Sequence, residues 1–586
     1  KEELFALLYS HISPHIVVLD LMSKPAIVIE NDKSIAVAVE VMIRFGLKAI
    51  PVVEPGSGRC AGMLEHQIAD KAMAHGLGDM PAAEYMMRDC ATIALDADLY
   101  QVIEIILGQG QRLVPVVEEG RIIGVITRTD LINMLVEEPA RIPEVFLPER
   151  KRERNISVMM RDRLPKEVYG LLQTAGELAE NQGASVYAVG GFVRDILLGG
   201  PNFDLDLVVE GDGIAFASYL GKELGGRVRP HQKFKTAVVI LENNRRIDVA
   251  TARLEYYEYP AALPTVELSS LKMDLFRRDF TVNALAVHLN PGRFGRLVDF
   301  FGAQQDIKAR VIRVLHSLSF VEDPTRILRA IRFEQRYGFR IGGQTERLIR
   351  NAVQLDMIHK LSGSRLFHEL RLILEEKKAG ACLKRMRHYR LLEAIHPMLK
   401  LDSARETLLD EMEKVLSWYR LLYLEPRAVA WILYFLFLCE GFTLDETRIL
   451  LKRLNLSKRQ ERDFLSLRQT LAETGHRFKS WRFGAKAKSE MYFILDALPV
   501  EGILYLMAWN PNETFRRGLS LYLTRFKGKA LEITGNDLKN MGVRPGPVYG
   551  RILKKVKAAM IDGSAGCRED QLRLAKELAE EITRQG

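Results

Sequence analysis

The sequence predicts a multidomain α/β plus α chain: a tandem α/β pair first, then a small mixed sheet with helices, then an all-helical remainder. Three observations predict it. The segments "DLMSKPAIVIENDKSIAVAVEVMIRFGLKAIPVVE" and "EYMMRDCATIALDADLYQVIEIILGQGQRLVPVVE" align with Met22 on Met86 and Pro51 on Pro115, a tandem repeat. Tyr187–Val209, "YAVGGFVRDILLGGPNFDLDLVV", places a Gly pair and a helical stretch between two apolar, strand-like runs. From Thr325 onward the pattern is apolar at helical spacing and rich in Lys and Arg. At 586 residues the chain is too long for a single core.

Composition sets the class. With 47% hydrophobic and 27% charged residues the chain is an ordinary globular protein, neither disordered nor fibrous. Its cysteines, Cys60, Cys90, Cys382, Cys439 and Cys567, are odd in number and scattered, without zinc or disulfide spacing, which suits the cytoplasm. The most apolar run, Ala428–Cys439, falls short of the roughly 20 residues needed to cross a bilayer and is read as a buried helix, with no membrane partner. The first residue is Lys1 rather than Met, read as the C-terminal part of something longer. Net charge is +9 but unevenly placed: residues 1–150 hold 13 Lys+Arg against 22 Asp+Glu, so everything after them carries +18. Such an excess attracts a phosphate backbone.

Taken in order, each early repeat reads as a short β segment, a helix, an apolar strand containing "PVV", a Gly turn, a second strand and a closing helix. A proline-containing, then charged stretch, Glu137–Arg154, reads as a linker. In the middle, "VYAVGG" is a strand ending at Gly190 and Gly191, where missing side chains let a phosphate approach backbone N–H groups. "FVRDILLG" is a helix whose N-terminus favours an anion and which carries Arg194. In "FDLDLVV", Asp204 and Asp206 share one face and Leu205 and Leu207 the other. Two Mg²⁺ ions would remove the conflict between the like charges and serve phosphoryl or nucleotidyl transfer. Asp248, in "RRIDVATAR", is a third acid placed to meet them across a sheet.

With those residues in place, the chain from about Pro165 onward resembles the class II tRNA nucleotidyltransferase and bacterial poly(A) polymerase family of the polymerase β-like nucleotidyltransferase superfamily. Its GGxVRD and DxD motifs stand at Gly190–Asp195 and Asp204–Asp206, and its RRD motif at Arg277, Arg278 and Asp279, running on to Asn283. A linking motif holds Asp299, Gly302 and Asp306; EDxxRxxR stands at Glu322–Arg329; "SRLFHEL" supplies Arg365 and Glu369, which stabilise the neck helices in the family. A tail echo, Ile533–Leu553, resembles the family's tRNA-gripping segment. The early repeat resembles a pair of CBS domains, whose halves pack face to face around an adenine nucleotide. "GVITRTD" carries the ligand signature, Thr127 for phosphate and Asp130 for ribose; the first half has Glu65 and Ile68 instead. A dimerising or spacer module without ligand is the alternative, and a homodimer through the pair is expected.

The resemblance implies a CBS pair over 1–140 (units about 16–77 and 80–138), a linker over 141–163, a mixed-sheet nucleotidyltransferase head over 164–315, a neck over 316–380, and a helical, tRNA-binding body and tail over 381–586. It implies template-independent addition of CMP or AMP to the tRNA 3′ end from CTP and ATP. Asp204 and Asp206 would hold Mg²⁺ and Asp248 assist. Gly190, Gly191 and Arg194 would hold the triphosphate, Arg278, Asp279 and Asn283 the ribose and phosphates, and Arg329 the triphosphate from the neck. Asp323 and Arg326, three apart and so neighbours on one helix face, would read the amine and ring nitrogen shared by cytosine and adenine. Members of the family divide into CCA-adding, CC-adding and A-adding enzymes, and by analogy with long forms carrying a CBS pair the reading leans to CC-adding. The alternatives are a poly(A) polymerase of the same family and a CBS-based nucleotide sensor with an inactive head.

Overall fold

The computed structural model describes residues 18–131, 154–200, 204–256, 265–268, 270–479 and 488–585. The chain divides into two compact units, Lys1–Lys360 and Leu361–Gly586, so the predicted neck is split between them.

The tandem repeat folds as two sheets of three strands, Ile29–Glu30, Ala49–Val53 and Cys60–Glu65 in the first, Ile93–Ala94, Leu113–Glu118 and Arg121–Thr127 in the second. In both, the outer short strand pairs parallel and the hairpin antiparallel, with a register shift at Val52/Val53 and again at Val116/Val117. The predicted unit boundaries need one amendment, because the opening segments are exchanged. Ser23 bridges to Val125 in the second sheet, and Val18 and Met22 are buried with Ile93, Val102 and Ile126. Met87 in turn bridges to Met63 in the first sheet. Each hairpin has an edge strand whose polar groups need a partner, and the other repeat's opening covers it. Gly62 makes room, since a Cβ there would lie 2.5 Å from the Met87 carbonyl oxygen.

Residues 132–153, including most of the predicted linker, lie outside the described residues. The linker's last part is not a linker. Ser157–Arg163 is a helix, and Ile156 and Met160 sit in the head core, since apolar side chains at that spacing are buried rather than left in solvent.

The head is a seven-stranded mixed sheet in the order Leu297–Asp299, Leu285–His288, Ser185–Val189, Leu205–Glu210, Arg246–Thr251, Thr236–Ile240, Arg227–His231. Only Leu205–Glu210 and Arg246–Thr251 run parallel to each other. Alternation decides the two faces. Leu205, Leu207, Val209, Ile247 and Val249 join the core under the helices Lys166–Asn181, Gly191–Leu198 and Gly213–Glu223. Val208 and Ala250 point the other way, toward Leu271 and Leu275 of the helix Leu271–Phe276. Beyond the sheet come the helices Ser319–Glu322, Thr325–Tyr337 and Gly343–Gln354.

The second unit is helical throughout its described residues. The apolar run is the buried helix Ala430–Leu438, as read from sequence. The tail echo forms the helices Gly535–Asn540, started by a Thr534/Asp537 capping box, and Pro547–Asp562, with Pro at its first turn. Their core is Ile533, Leu538, Ile552, Val556, Ala575 and Leu578. Among the described residues no single helix is long and apolar enough to cross a membrane.

Candidate active site

The strand pair Leu205–Glu210 and Arg246–Thr251 puts Asp248 directly opposite Asp206 in parallel register. Asp204 stands one residue before the strand, two before Asp206, and is exposed where Asp206 is half-buried. The three carboxylates predicted from sequence therefore lie on one face of the sheet, away from the Leu205/Leu207 core. Their proximity has an electrostatic cost. Burial first, then Asp248 and Asp204, push the Asp206 carboxyl up to about 6 despite the Arg278 guanidinium; burial likewise raises Asp248.

Gly190 ends the neighbouring strand with φ 70°, a left-handed conformation that glycine adopts without strain. Its N–H donates to the Leu285 carbonyl at 3.0 Å, so it is not available to a phosphate as the sequence suggested. What glycine provides is space: a Cβ would lie 2.5 Å from Nη1 of Arg278. The first-turn N–H groups from Gly191 onward remain the kind a helix leaves without internal partners. Arg278 donates from Nη2 to Asp274 Oδ2 at 3.2 Å, while its buried Nε has no partner among the described residues. Near both Gly190 and Asp206, it is the cation that the sheet face presents to the carboxylates.

Two arginines assigned to the triphosphate, Arg194 and Arg329, have protein partners. Arg194 is 4% exposed; it donates from Nε to Asp195 at 2.8 Å and from Nη1 to Asn283, and its guanidinium lies 4.4 Å from the Tyr337 ring centroid. Arg329 donates from Nε and Nη2 to Asp279 Oδ2 at 2.9 and 2.6 Å. Asp279 also accepts from Asn283 Nδ2 at 2.8 Å. Burial would raise Asp279, but Arg329 and these hydrogen bonds override it and hold the carboxyl at about 2. The motifs thus form one chain, Asp195–Arg194–Asn283–Asp279–Arg329, tying head to neck helix. The linking motif is structural too: Asp299 accepts from Ala303 and Gln304 N–H at the start of the helix Ala303–Ala309, and Asp306 accepts from Thr281 Oγ1.

Asp323 and Arg326 do not share a helix face. Asp323 sits in the break between Ser319–Glu322 and Thr325–Tyr337, with extended backbone, accepting from Thr325 N–H at 3.0 Å. Pro324 forces the break, since the residue before a proline is driven out of helical conformation. Arg326, 5% exposed, donates to Ser319 Oγ at 2.7 Å and to the Arg277 carbonyl at 2.6 Å. Sequence reasoning missed Asp274, fully buried between Arg277 and Arg278 and lowered by them against burial. Its signal was present as an acid four residues before Arg278 on one helix face.

In the second CBS unit the predicted pair does meet. Asp130 Oδ2 accepts from both N–H and Oγ1 of Thr127 at 2.6 Å, and Ser23 Oγ of the exchanged opening lies 3.4 Å from Oδ1. Glu65, at the matching place in the first unit, pairs with Arg112 at 3.5 Å.

Among the described residues no three acidic, imidazole or thiol groups converge into a ready-made metal cage. The donor set still suits Mg²⁺, which is commonly held by one or two carboxylates plus substrate phosphates. Asp206 and Asp248, both raised, offer hard oxygens whose ionisation a cation would favour.

Comparison with known proteins gives the following likenesses. Residues 186–313 match the poly A polymerase head domain, 18–67 and 82–137 the CBS domain, and 338–402 the probable RNA and SrmB-binding site of polymerase A. The chain is 43% identical over 571 residues to the A-adding tRNA nucleotidyltransferase of Geobacter sulfurreducens, covering 96% of this chain and 64% of that protein. It thus spans slightly less than two thirds of that relative's length. It is 31% identical to the A-adding tRNA nucleotidyltransferase of Halalkalibacterium halodurans, over 72% of this chain and 95% of the relative. The Thermotoga maritima CCA-adding enzyme complexed with tRNA superposes with a TM-score of 0.58 at 32% identity, over 73% of this chain and 99% of that one.

Proposed function

Because the chain belongs to the tRNA nucleotidyltransferase and poly(A) polymerase family, we propose that it transfers a nucleotide from ATP to the 3′ end of tRNA without a template, adding the terminal A. The observation that carries this reading is the register of Asp248 on Asp206 beside Gly190 and Arg278. Paired acids kept on an open sheet face are costly unless they serve a reaction, which argues against an inactive, purely sensing head. The leaning toward CC addition rested on analogy; the two A-adding relatives support the terminal A instead.

In this reading Asp204 and Asp206 hold Mg²⁺ and Asp248 completes the acidic face. A bound divalent cation supplies charge neutralisation at the α-phosphate and makes the attacking ribose 3′-hydroxyl more acidic. Arg278 draws the triphosphate against the first turn of Gly191–Leu198, using the Nε that the described residues leave unpartnered. Arg194, Asn283, Asp279 and Arg329 act behind it, holding the neck helix against the head. Asp323 takes the exocyclic amine of adenine from the break in the neck, and Arg326 fixes that break. Basic surface after residue 150 holds tRNA. An adenine nucleotide at Thr127 and Asp130, and a homodimer through the CBS pair, belong to the same proposal.

The test is incubation with labelled ATP or CTP on tRNAs ending before CCA, after the first C, and after CC. AMP entering only the tRNA that ends in CC is expected. CMP incorporation, or long A tracts on any RNA, would replace the reading with CC addition or poly(A) synthesis.

A further inference from the structure

Glu322, first residue of the EDxxRxxR motif, is 3% exposed, and its nearest cation comes from far away in sequence. Nζ of Lys71, on the helix His66–Ala74 of the first CBS unit, lies 2.8 Å from Glu322 Oε1. The second carboxylate oxygen faces His316 Nε2 at 3.4 Å. Burial pushes that imidazole down to about 4, so it is neutral at physiological pH. Among the described residues, Lys71 is therefore the one charged partner within ion-pair distance of this carboxylate.

Glu322 ends a four-residue helix whose first residue, Ser319, receives the Arg326 guanidinium and whose next residue is Asp323. The buried carboxylate anchors the backbone beside Asp323, in the short helix that Arg326 grips from the next one through Ser319. We propose that Lys71 is a positioning residue for nucleotide selection, a side chain of the CBS pair that neutralises Glu322 and so fixes the Asp323 turn. The inference rests on the functional reading above. It makes the CBS pair part of the nucleotide-selecting machinery rather than a spacer.

Docking of the CBS unit does not depend on this contact alone. Asp89 pairs with Arg313 at 2.7 Å, Glu84 accepts from Asn351, and Gln344 Nε2 donates to the Met86 carbonyl at 3.4 Å. Removing the Lys71 charge should therefore leave the unit in place and an unneutralised carboxylate behind, a costly arrangement.

The experiment uses the full chain, with single-turnover addition of each of the four nucleotides to tRNA ending in CC. Lys71→Met should raise KM for ATP about tenfold and lower the preference for ATP over GTP by a similar factor, a fraction of the penalty that a buried carboxylate incurs when it loses its counter-ion. The maximal rate and the tRNA dissociation constant should change much less. Lys71→Arg, which keeps the charge, should restore both quantities. Lys71→Gln, which keeps a donor, should fall between, and it carries the same comparison should the methionine variant not fold. Asp89→Asn, which loosens docking without touching Glu322, should leave the preference unchanged. The proposal is overturned if Lys71→Met and Lys71→Gln match the parent, if Lys71→Arg fails to restore, or if Asp89→Asn gives the same loss. A parent chain that adds AMP selectively while the Lys71 variants behave like it sinks this inference alone. A parent that adds no nucleotide sinks the functional reading and this inference together.

Discussion

Replacing Asp206 by Asn should abolish nucleotide addition and, in the absence of metal, make the protein more stable. The Asp206 carboxyl stands at about 6 where an ordinary aspartate stands at 3.8, with burial the largest cause and Asp248 and Asp204 adding to it. At about 1.4 kcal/mol per tenfold, that gap means the ionised group costs the folded state on the order of 2–3 kcal/mol at neutral pH. The sign follows from linkage. A raised folded-state value favours the folded protein most when the group is protonated in both states, below about 3.8, and the advantage is lost as pH rises through about 6. Asn carries no such penalty. In chelator at pH 7.5, Asp206→Asn should therefore melt a few degrees above the parent, by roughly 3–6 °C, and the difference should shrink toward zero as pH falls to 4. Adding Mg²⁺ should raise the parent's melting temperature by mass action and the variant's much less. A variant that melts at or below the parent at pH 7.5 in chelator would refute the claim that these carboxylates are held together against their repulsion.

Three further outcomes are expected. Gly190→Ala should raise KM for ATP and cost about 1–2 kcal/mol, because φ is 70° and the new Cβ meets Arg278; Gly191→Ala, whose Cβ would lie 3.4 Å from Arg194, should do less, both read by kinetics and melting. Asp323→Ala should narrow the gap between ATP and GTP or UTP, whereas Arg329→Ala, which frees Asp279, should weaken all nucleotides alike; full selectivity retained by Asp323→Ala would exclude base reading there. Ending the chain after Leu531 removes the tail core around Ile533, Ile552 and Val556, and should weaken tRNA binding and flatten its salt dependence; an unchanged slope would place the RNA surface elsewhere.

What could be read from sequence depended on whether a short-range rule decided it. Asp204, Asp206 and Asp248 were legible because strand alternation leaves only two faces, and three acids on the core face would be untenable. The repeat was legible because similar sequences build similar sheets, down to matching register shifts at Val52 and Val116. The exchange of openings was not, since Met22 and Met86 have equivalent surroundings whichever sheet each completes. Nor were the partners of Arg194, Arg326 and Arg329. A guanidinium has five donors that serve a phosphate or a protein carboxylate equally well, and only the fold decides between them. Asp323 was misplaced for a simpler reason: spacing of three implies a shared helix face only if the helix is unbroken, and Pro324 breaks it.

The exchanged openings bear on how the chain is made. During synthesis the segment at Val18–Ser23 emerges well before the strand it joins, which is complete only once Val125 has left the ribosome. The first sheet, complete in its own strands by Glu65, waits for Met87 to cover its edge. Each sheet thus has its edge covered only after the other repeat has been made. A chain cut between the repeats would leave the first sheet's edge without Met87 and strip Val18 and Met22 of the neighbours that bury them.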